Sequence, residues 1–99
     1  MPETFEFLIQ QPGAAPVPCD LPLGSYLIGR GDGCPIRLRH AEVSEHHARL
    51  VLARDRGVIE DLGSQNGTWM QGRRLAAPAA LAPGQEIGIG PYLLVVRGV

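Results

Sequence analysis

An all-β sandwich of ten or eleven short strands is the fold this sequence predicts. Three observations lead there. Thirteen Gly and nine Pro are dispersed along 99 residues, nearly double the average share, so turns punctuate the whole chain at roughly 8–12-residue spacing. The apolar runs between them are short, and several alternate with polar residues, which is the two-residue period of a half-buried strand. The 44% apolar content, with twelve Leu, seven Val and six Ile, suffices for one core in a chain whose length allows one domain. That domain is expected over residues 1–99, with its core between Phe5 and Arg97.

Thr4 to Gln10 opens with Phe5, Phe7 and Ile9 on one side and Glu6 on the other, a strand. Gln11 to Pro18 holds a Gly and three prolines and reads as a loop. Val17 to Leu21 is a poor edge strand, because Pro18 has no N–H for a ladder. Ser25 to Gly29 is a strand, and Gly31-Asp32-Gly33 a turn. Ile36 to Leu38 follows as a short strand with Arg37 outward. The stretch from Ile36 to Arg56 is ambiguous, being the one long run without Gly or Pro. Val43, His47, Leu50, Val51 and Arg54 fall at helical spacing, while Ala48, Leu50 and Leu52 alternate. A lone helix would need an apolar face to dock on, so His47 to Ala53 is expected as a strand. Gly57 to Leu62 pairs with it across Arg54-Asp55-Arg56-Gly57. Gly63 to Gly67 is a loop of turn residues. Thr68–Met70 and Arg73–Leu75 flank Gln71-Gly72, a two-residue hairpin signal. Leu81 to Gly84 is a turn, and Gln85–Ile89 and Tyr92–Arg97 form a closing pair around Gly90-Pro91.

Nine basic residues, all of them Arg, against ten acidic ones give a net charge of −1. That is not the footprint of a nucleic-acid-binding protein. No apolar run reaches the roughly 18 residues of a membrane span, and Met1 to Glu6 lacks the basic start of a signal peptide. A cytoplasmic location without membrane insertion is expected, with Cys19 and Cys34 as free thiols. The absence of Lys, with ten Ala, suggests a GC-rich, bacterial source.

The unusually placed polar residues gather in three turns: Gly29 to Gly33, Val43 to His47, and Leu62 to Thr68. A sandwich carries function on the loops at one end. An Arg, two Ser, an Asn, a Thr and several Gly form a donor set with no carboxylate cluster facing it, which suits an anion, above all phosphate. Ser44, His46 or His47, and Asp61 could be written as a catalytic triad, but no nucleophile elbow or oxyanion hole accompanies them. Neither an enzyme nor a cofactor is expected. Cys19, Cys34, His40 and His46 lack the spacing of zinc ligands, so no metal site is expected. Arg30-Gly31-Asp32 matches the cell-adhesion tripeptide by chance. Arg73 and Arg74 are expected in solvent, and Trp69 in the core or on a sheet surface.

Gly29-Arg30, Ser44-x-x-His47 and Asn66-Gly67, in that order, resemble the signature of the forkhead-associated (FHA) domain. The likeness extends through Tyr26–Arg30, Cys34–Leu38, Val43–Ala48, Asp61–Thr68 and Leu81–Gly90, nearly the whole chain. It implies an eleven-stranded sandwich whose loops at one end bind phosphothreonine peptides, so that the partner is a phosphothreonine protein such as a Ser/Thr kinase or its substrate. Arg30 resembles the family's phosphate-binding arginine, and Ser44 the serine whose hydroxyl donates to the phosphate. Ser64, Gln65 and Thr68 belong to the third loop, which flanks the phosphothreonine. Asn66 resembles the asparagine that bonds the peptide backbone. The resemblance makes His47 scaffold for the Ser44 loop, and gives Gly29 and Gly67 roles in backbone geometry.

One departure stands out. Glu45 occupies a position that is often basic in the family. A carboxylate near a dianion repels it, which His46 offsets in part when protonated. Glu45 therefore weakens the phosphate site or selects a peptide with a basic residue nearby. It also opens an alternative function, a phosphate-independent scaffold that binds a protein surface or self-associates.

Overall fold

Eleven strands in two sheets form the computed structural model, which describes residues 3–98. The strands are β1 (Thr4–Gln10), β2 (Val17–Pro22), β3 (Gly24–Gly29), β4 (Ile36–Arg37), β5 (Ala48–Leu52), β6 (Gly57–Asp61), β7 (Thr68–Met70), β8 (Arg73–Arg74), β9 (Ala79–Ala80), β10 (Glu86–Ile89) and β11 (Tyr92–Gly98). No helix occurs among the described residues. Met1, Pro2 and Val99, the outermost positions of the expected domain, lie outside them. One sheet has the order β2-β1-β11-β10-β7-β8, the other β4-β3-β5-β6-β9. All pairings are antiparallel except β3 with β4, which run parallel.

The core follows from strand alternation. Phe5 and Phe7 of β1, Ala48, Leu50 and Leu52 of β5, Ile59 of β6, Ile87 and Ile89 of β10, and Leu94 and Val96 of β11 all point between the sheets. Burying each large side chain contributes roughly 1.5–3 kcal/mol. Gly57 makes room for this packing, since a Cβ there would lie 2.8 Å from the Phe5 ring. Outside the core, Arg49 of β5 faces Glu60 of β6 in register at 3.4 Å.

The ambiguous stretch resolves as loop and strand. Of the residues at helical spacing, Val51 and Arg54 are exposed, so that stripe has nothing to bury. The alternating set Ala48, Leu50 and Leu52 is buried and decides the outcome. Ile36 and Leu38 are buried with Arg37 outward, as expected, although β4 itself ends at Arg37. The Gln71-Gly72 hairpin turns with φ of 50° and 78°, the paired positive values of a type I′ turn. One strand had no sequence signal: β9 is two alanines, placed by pairing with Val58 and Ile59 of β6.

The sheet edges are short or interrupted. β4, β8 and β9 have two residues each, and β2 contains Pro18 and Pro22. The free thiols Cys19 and Cys34 remain unpaired. Burial, and after it the Asp20 charge, push the Cys19 thiol up in pKa, which keeps it protonated.

Candidate functional site

Three loops meet at one end of the sandwich: β3–β4, β4–β5 and β6–β7. The first two are zipped together by main-chain bonds from Arg30 N–H to the Ser44 carbonyl (3.0 Å) and from Gly31 N–H to the Glu45 carbonyl (3.1 Å). Gly29 permits this approach. A Cβ at Gly29 would lie 2.2 Å from the Glu45 carbonyl oxygen, and backbone cannot step aside as a side chain can. Gly29→Ala should cost roughly 1–3 kcal/mol of stability through overpacking and weaken any ligand held jointly by Arg30 and Ser44. Urea unfolding and a peptide titration of the same variant read both effects.

His47 ties the third loop to the second. It is fully buried, accepts the Ser44 N–H on Nδ1 at 3.0 Å and meets the Gly67 carbonyl with Nε2 at 2.8 Å. Because Nδ1 accepts, Nε2 carries the proton and donates to Gly67. His47→Ala removes both bonds at once and strands a buried carbonyl, so it should lower stability by roughly 1–3 kcal/mol. A thermal melt checks this, and an unchanged midpoint would exclude the bridging role.

The expected ligand-facing residues divide into two groups. Arg30 and Ser44 are joined through the main-chain bond between their loops, and both are accessible. Arg30 donates from Nε to the Val43 carbonyl at 3.0 Å, which fixes the guanidinium plane and leaves the Nη nitrogens for a ligand; among the described residues no carboxylate pairs with it. The Ser44 hydroxyl accepts the Gln65 N–H at 3.0 Å, so its own hydrogen remains available to donate. Asn66 is exposed, with Nδ2 held by the Glu42 carbonyl at 2.9 Å and its amide oxygen left to accept. Gln65 is exposed. Glu45 is exposed and shares with Arg30 the walls of an open cavity of about 380 Å³, together with Asp32, Arg37 and His46.

Ser64 and Thr68, expected in the loop that flanks the ligand, form a second group that faces inward. Both are buried, and both hydroxyls donate to one oxygen of Asp61, Ser64 at 2.5 Å and Thr68 at 2.7 Å. Ser64 Oγ also accepts the Gly67 N–H at 2.9 Å. The other Asp61 oxygen accepts the N–H groups of Gly63 and Ser64, each at 3.0 Å. These residues shape the loop from beneath.

Asp61 is the organiser that sequence reasoning missed. Burial alone would raise its pKa, but the four hydrogen bonds from Ser64, Thr68 and Gly63 outweigh burial and hold the carboxyl below its ordinary range. The signal was present in the sequence, since Asp followed two and three residues later by Gly and Ser is an Asx-turn pattern. Trp69, 41% exposed on the sheet surface, also touches the site by donating its indole N–H to the Asn66 carbonyl at 3.0 Å. Arg73 and Arg74 are exposed, and Arg74 lies over Gly67, whose φ of 88° is a value that favours glycine.

This end of the sandwich is thus a donor-rich surface assembled from three loops, with the Arg30 guanidinium bonded to the Val43 carbonyl, and with the Ser44 hydroxyl on the next residue of that loop. Known proteins share the pattern. The FHA domain profile matches residues 26–90. The chain is 32% identical over 71 residues to the FHA domain-containing protein FhaB of Mycobacterium tuberculosis, an alignment covering 72% of this chain and 46% of FhaB; the chain thus spans about half the length of that relative. The FHA domain of the CT664 protein from Chlamydia trachomatis superposes with a TM-score of 0.90 at 25% identity, covering 98% of this chain and 99% of that one. An FHA domain solved in a study of phosphothreonine-dependent interactions superposes with a TM-score of 0.83 at 28% identity, covering 95% and 97%. With the profile spanning well over half of its length, the chain belongs to the FHA domain family of interaction modules.

Proposed function

We propose that this protein binds phosphothreonine in a partner protein, a Ser/Thr kinase or a kinase substrate, for signalling or regulated assembly. The observation that carries the proposal is the pairing of Arg30, with its free Nη nitrogens, and Ser44, with its free hydroxyl hydrogen, on loops zipped together by main-chain bonds. A phosphate brings about −1.5 to −2 charge and three acceptor oxygens, which match these donors. Asn66 then bonds the peptide backbone beside the phosphorylated residue, and Gln65 lies next to it on the loop. Support also comes from the similar FHA domain whose interactions depend on phosphothreonine. The test is a titration of paired phosphothreonine and threonine peptides from a broad library. A preference of tenfold or more, roughly the effect of one charge-assisted hydrogen bond, is expected for the phosphorylated form.

Glu45 favours a second reading, a phosphate-independent scaffold, because its carboxylate shares a cavity with Arg30. Equal affinity for both peptide forms would establish it. Under the phosphothreonine reading, Glu45→Arg removes one repulsion and adds one attraction. Each is worth roughly 0.5–1 kcal/mol at an exposed site, so affinity should rise about fivefold to thirtyfold. The gain should shrink in salt and vanish in an Arg30→Ala background. Titration at two salt concentrations reads it.

A further inference from the structure

The loop that carries Asn66 turns on one peptide plane. The Asn66 carbonyl and the Gly67 N–H belong to the same peptide unit, and both of its ends are bonded. On the inner side, Ser64 Oγ accepts the Gly67 N–H at 2.9 Å. On the outer side, the Trp69 indole N–H donates to the Asn66 carbonyl at 3.0 Å. Such a plane is the soft part of a turn: turn types I and II differ by its rotation through about 180°. Gly67, with φ of 88°, sets no steric bar to that motion, because glycine populates both signs of φ. The bonds at its two ends therefore fix the plane.

Asn66 is exposed and gains no orientation from burial. Its side chain is tied by Nδ2 to the Glu42 carbonyl at 2.9 Å, which leaves Oδ1 to accept a ligand N–H. Its main chain is tied on the outer side by Trp69. The indole is no core element: it is 41% exposed, and the residue opposite it in register on β10 is Gly88, which has no side chain to pack against it. A tryptophan has one hydrogen-bond donor, and here that donor serves the Asn66 carbonyl. What the indole adds at this place is thus a bond to the loop rather than a share of the core.

We propose that Trp69 is a positioning residue for the main chain of the ligand: its indole N–H fixes the Asn66–Gly67 peptide plane and so holds the Asn66 amide where it accepts a peptide N–H. The inference rests on the proposed function and deepens it, because it assigns a second residue to the part of the affinity that reads the peptide rather than its phosphate. Trp69 acts through Asn66, while Arg30 and Ser44 hold the phosphate without it. The coupling is reciprocal. If the indole bond favours the ligand-competent Asn66, a bound peptide strengthens the indole bond by the same factor.

The test uses the tightest phosphothreonine peptide from the library titration, with inorganic phosphate as a probe that has no main chain. Trp69→Phe keeps an aromatic ring and removes the donor; benzothienylalanine in place of Trp69 removes the donor and keeps the shape. Both should weaken the peptide roughly threefold to tenfold, the effect of one neutral hydrogen bond, while phosphate affinity stays within about twofold. Asn66→Ala should lose at least as much, and adding Trp69→Phe to it should cost nothing further, because the two residues act as one unit. The chain has one tryptophan, so its indole N–H gives a single signal in a proton–nitrogen correlation spectrum. Exchange of that proton with solvent should slow by the same factor when peptide saturates the protein. Unchanged peptide affinity in both Trp69 variants overturns the inference and leaves the proposed function standing. So do an additive loss in the double variant and an indole exchange rate indifferent to peptide. An equal loss for peptide and phosphate marks a general loosening of the loop and also overturns it. Absence of wild-type binding to every phosphothreonine peptide overturns both the inference and the function it rests on.

Discussion

Replacing Arg30 by alanine should abolish the discrimination between a phosphothreonine peptide and its unphosphorylated counterpart. The guanidinium is held by a single bond from Nε to the Val43 carbonyl, so the Nη nitrogens face a phosphate without first breaking an internal ion pair. Two charge-assisted bonds at roughly 1.5–3 kcal/mol each correspond to a loss of about a hundredfold or more in affinity. The fold should survive, because Arg30 is exposed and contributes nothing to the core. Isothermal titration of both peptide forms, with a thermal melt of the variant, separates the two effects. Arg30→Lys should recover only part of the affinity, since an ammonium restores the charge without the planar fork. An Arg30→Ala protein that still prefers the phosphorylated peptide would place the phosphate elsewhere on the surface.

Asp61→Ala should be the most damaging single change to the architecture beneath that surface. It removes the acceptor of two buried hydroxyls and two main-chain N–H groups. Hydrogen bonds to a charged group are worth roughly 1.5–3 kcal/mol each, and stranded buried donors add to the loss. Because the four bonds act as one unit they do not sum, and a total of about 3–5 kcal/mol is expected. Asp61→Asn should be nearly as harmful: each carboxylate oxygen receives two donors, so whichever is replaced by NH₂ sets donor against donor. The carboxyl titrates below its ordinary range in the folded protein. Its contribution is therefore complete above the unfolded value of about 3.9 and is lost as the pH falls through the depressed folded value. Urea unfolding of wild type and Asp61→Asn should accordingly show a wide gap at neutral pH that narrows below about pH 4. A gap independent of pH would remove Asp61 from its central place.

Most of the sandwich was legible because its strands obey local rules. The alternation of Phe5 and Phe7, the turn at Gln71-Gly72 and the pair around Gly90-Pro91 each encode their own geometry. β9 was not legible, because alanine carries little strand preference and only the neighbouring β6 makes Ala79 and Ala80 extended. The candidate site was legible as a set of residue types in order, but not as two layers. Ser64 and Thr68 carry the same hydroxyl chemistry as Ser44, and sequence cannot tell a hydroxyl that faces a ligand from one that faces a carboxylate underneath. The difference lies in Asp61, whose reach to both side chains exists only after β6 and β7 are brought together.

The interrupted sheet edges restrict how a partner can be held. A peptide that joins a sheet as an extra strand needs a run of free N–H and C=O groups. Here three of the edge strands are two residues long and the fourth contains two prolines, so these strands offer only short or interrupted runs for such an addition. Recognition by main-chain zippering, which is largely indifferent to sequence and to covalent modification, is thereby disfavoured at these strands. Loop donors such as Arg30 and Ser44 are then the groups that hold a partner under the proposed function, where one phosphate switches the contact on and its removal switches it off. The same short or proline-interrupted strands disfavour edge-to-edge pairing between copies.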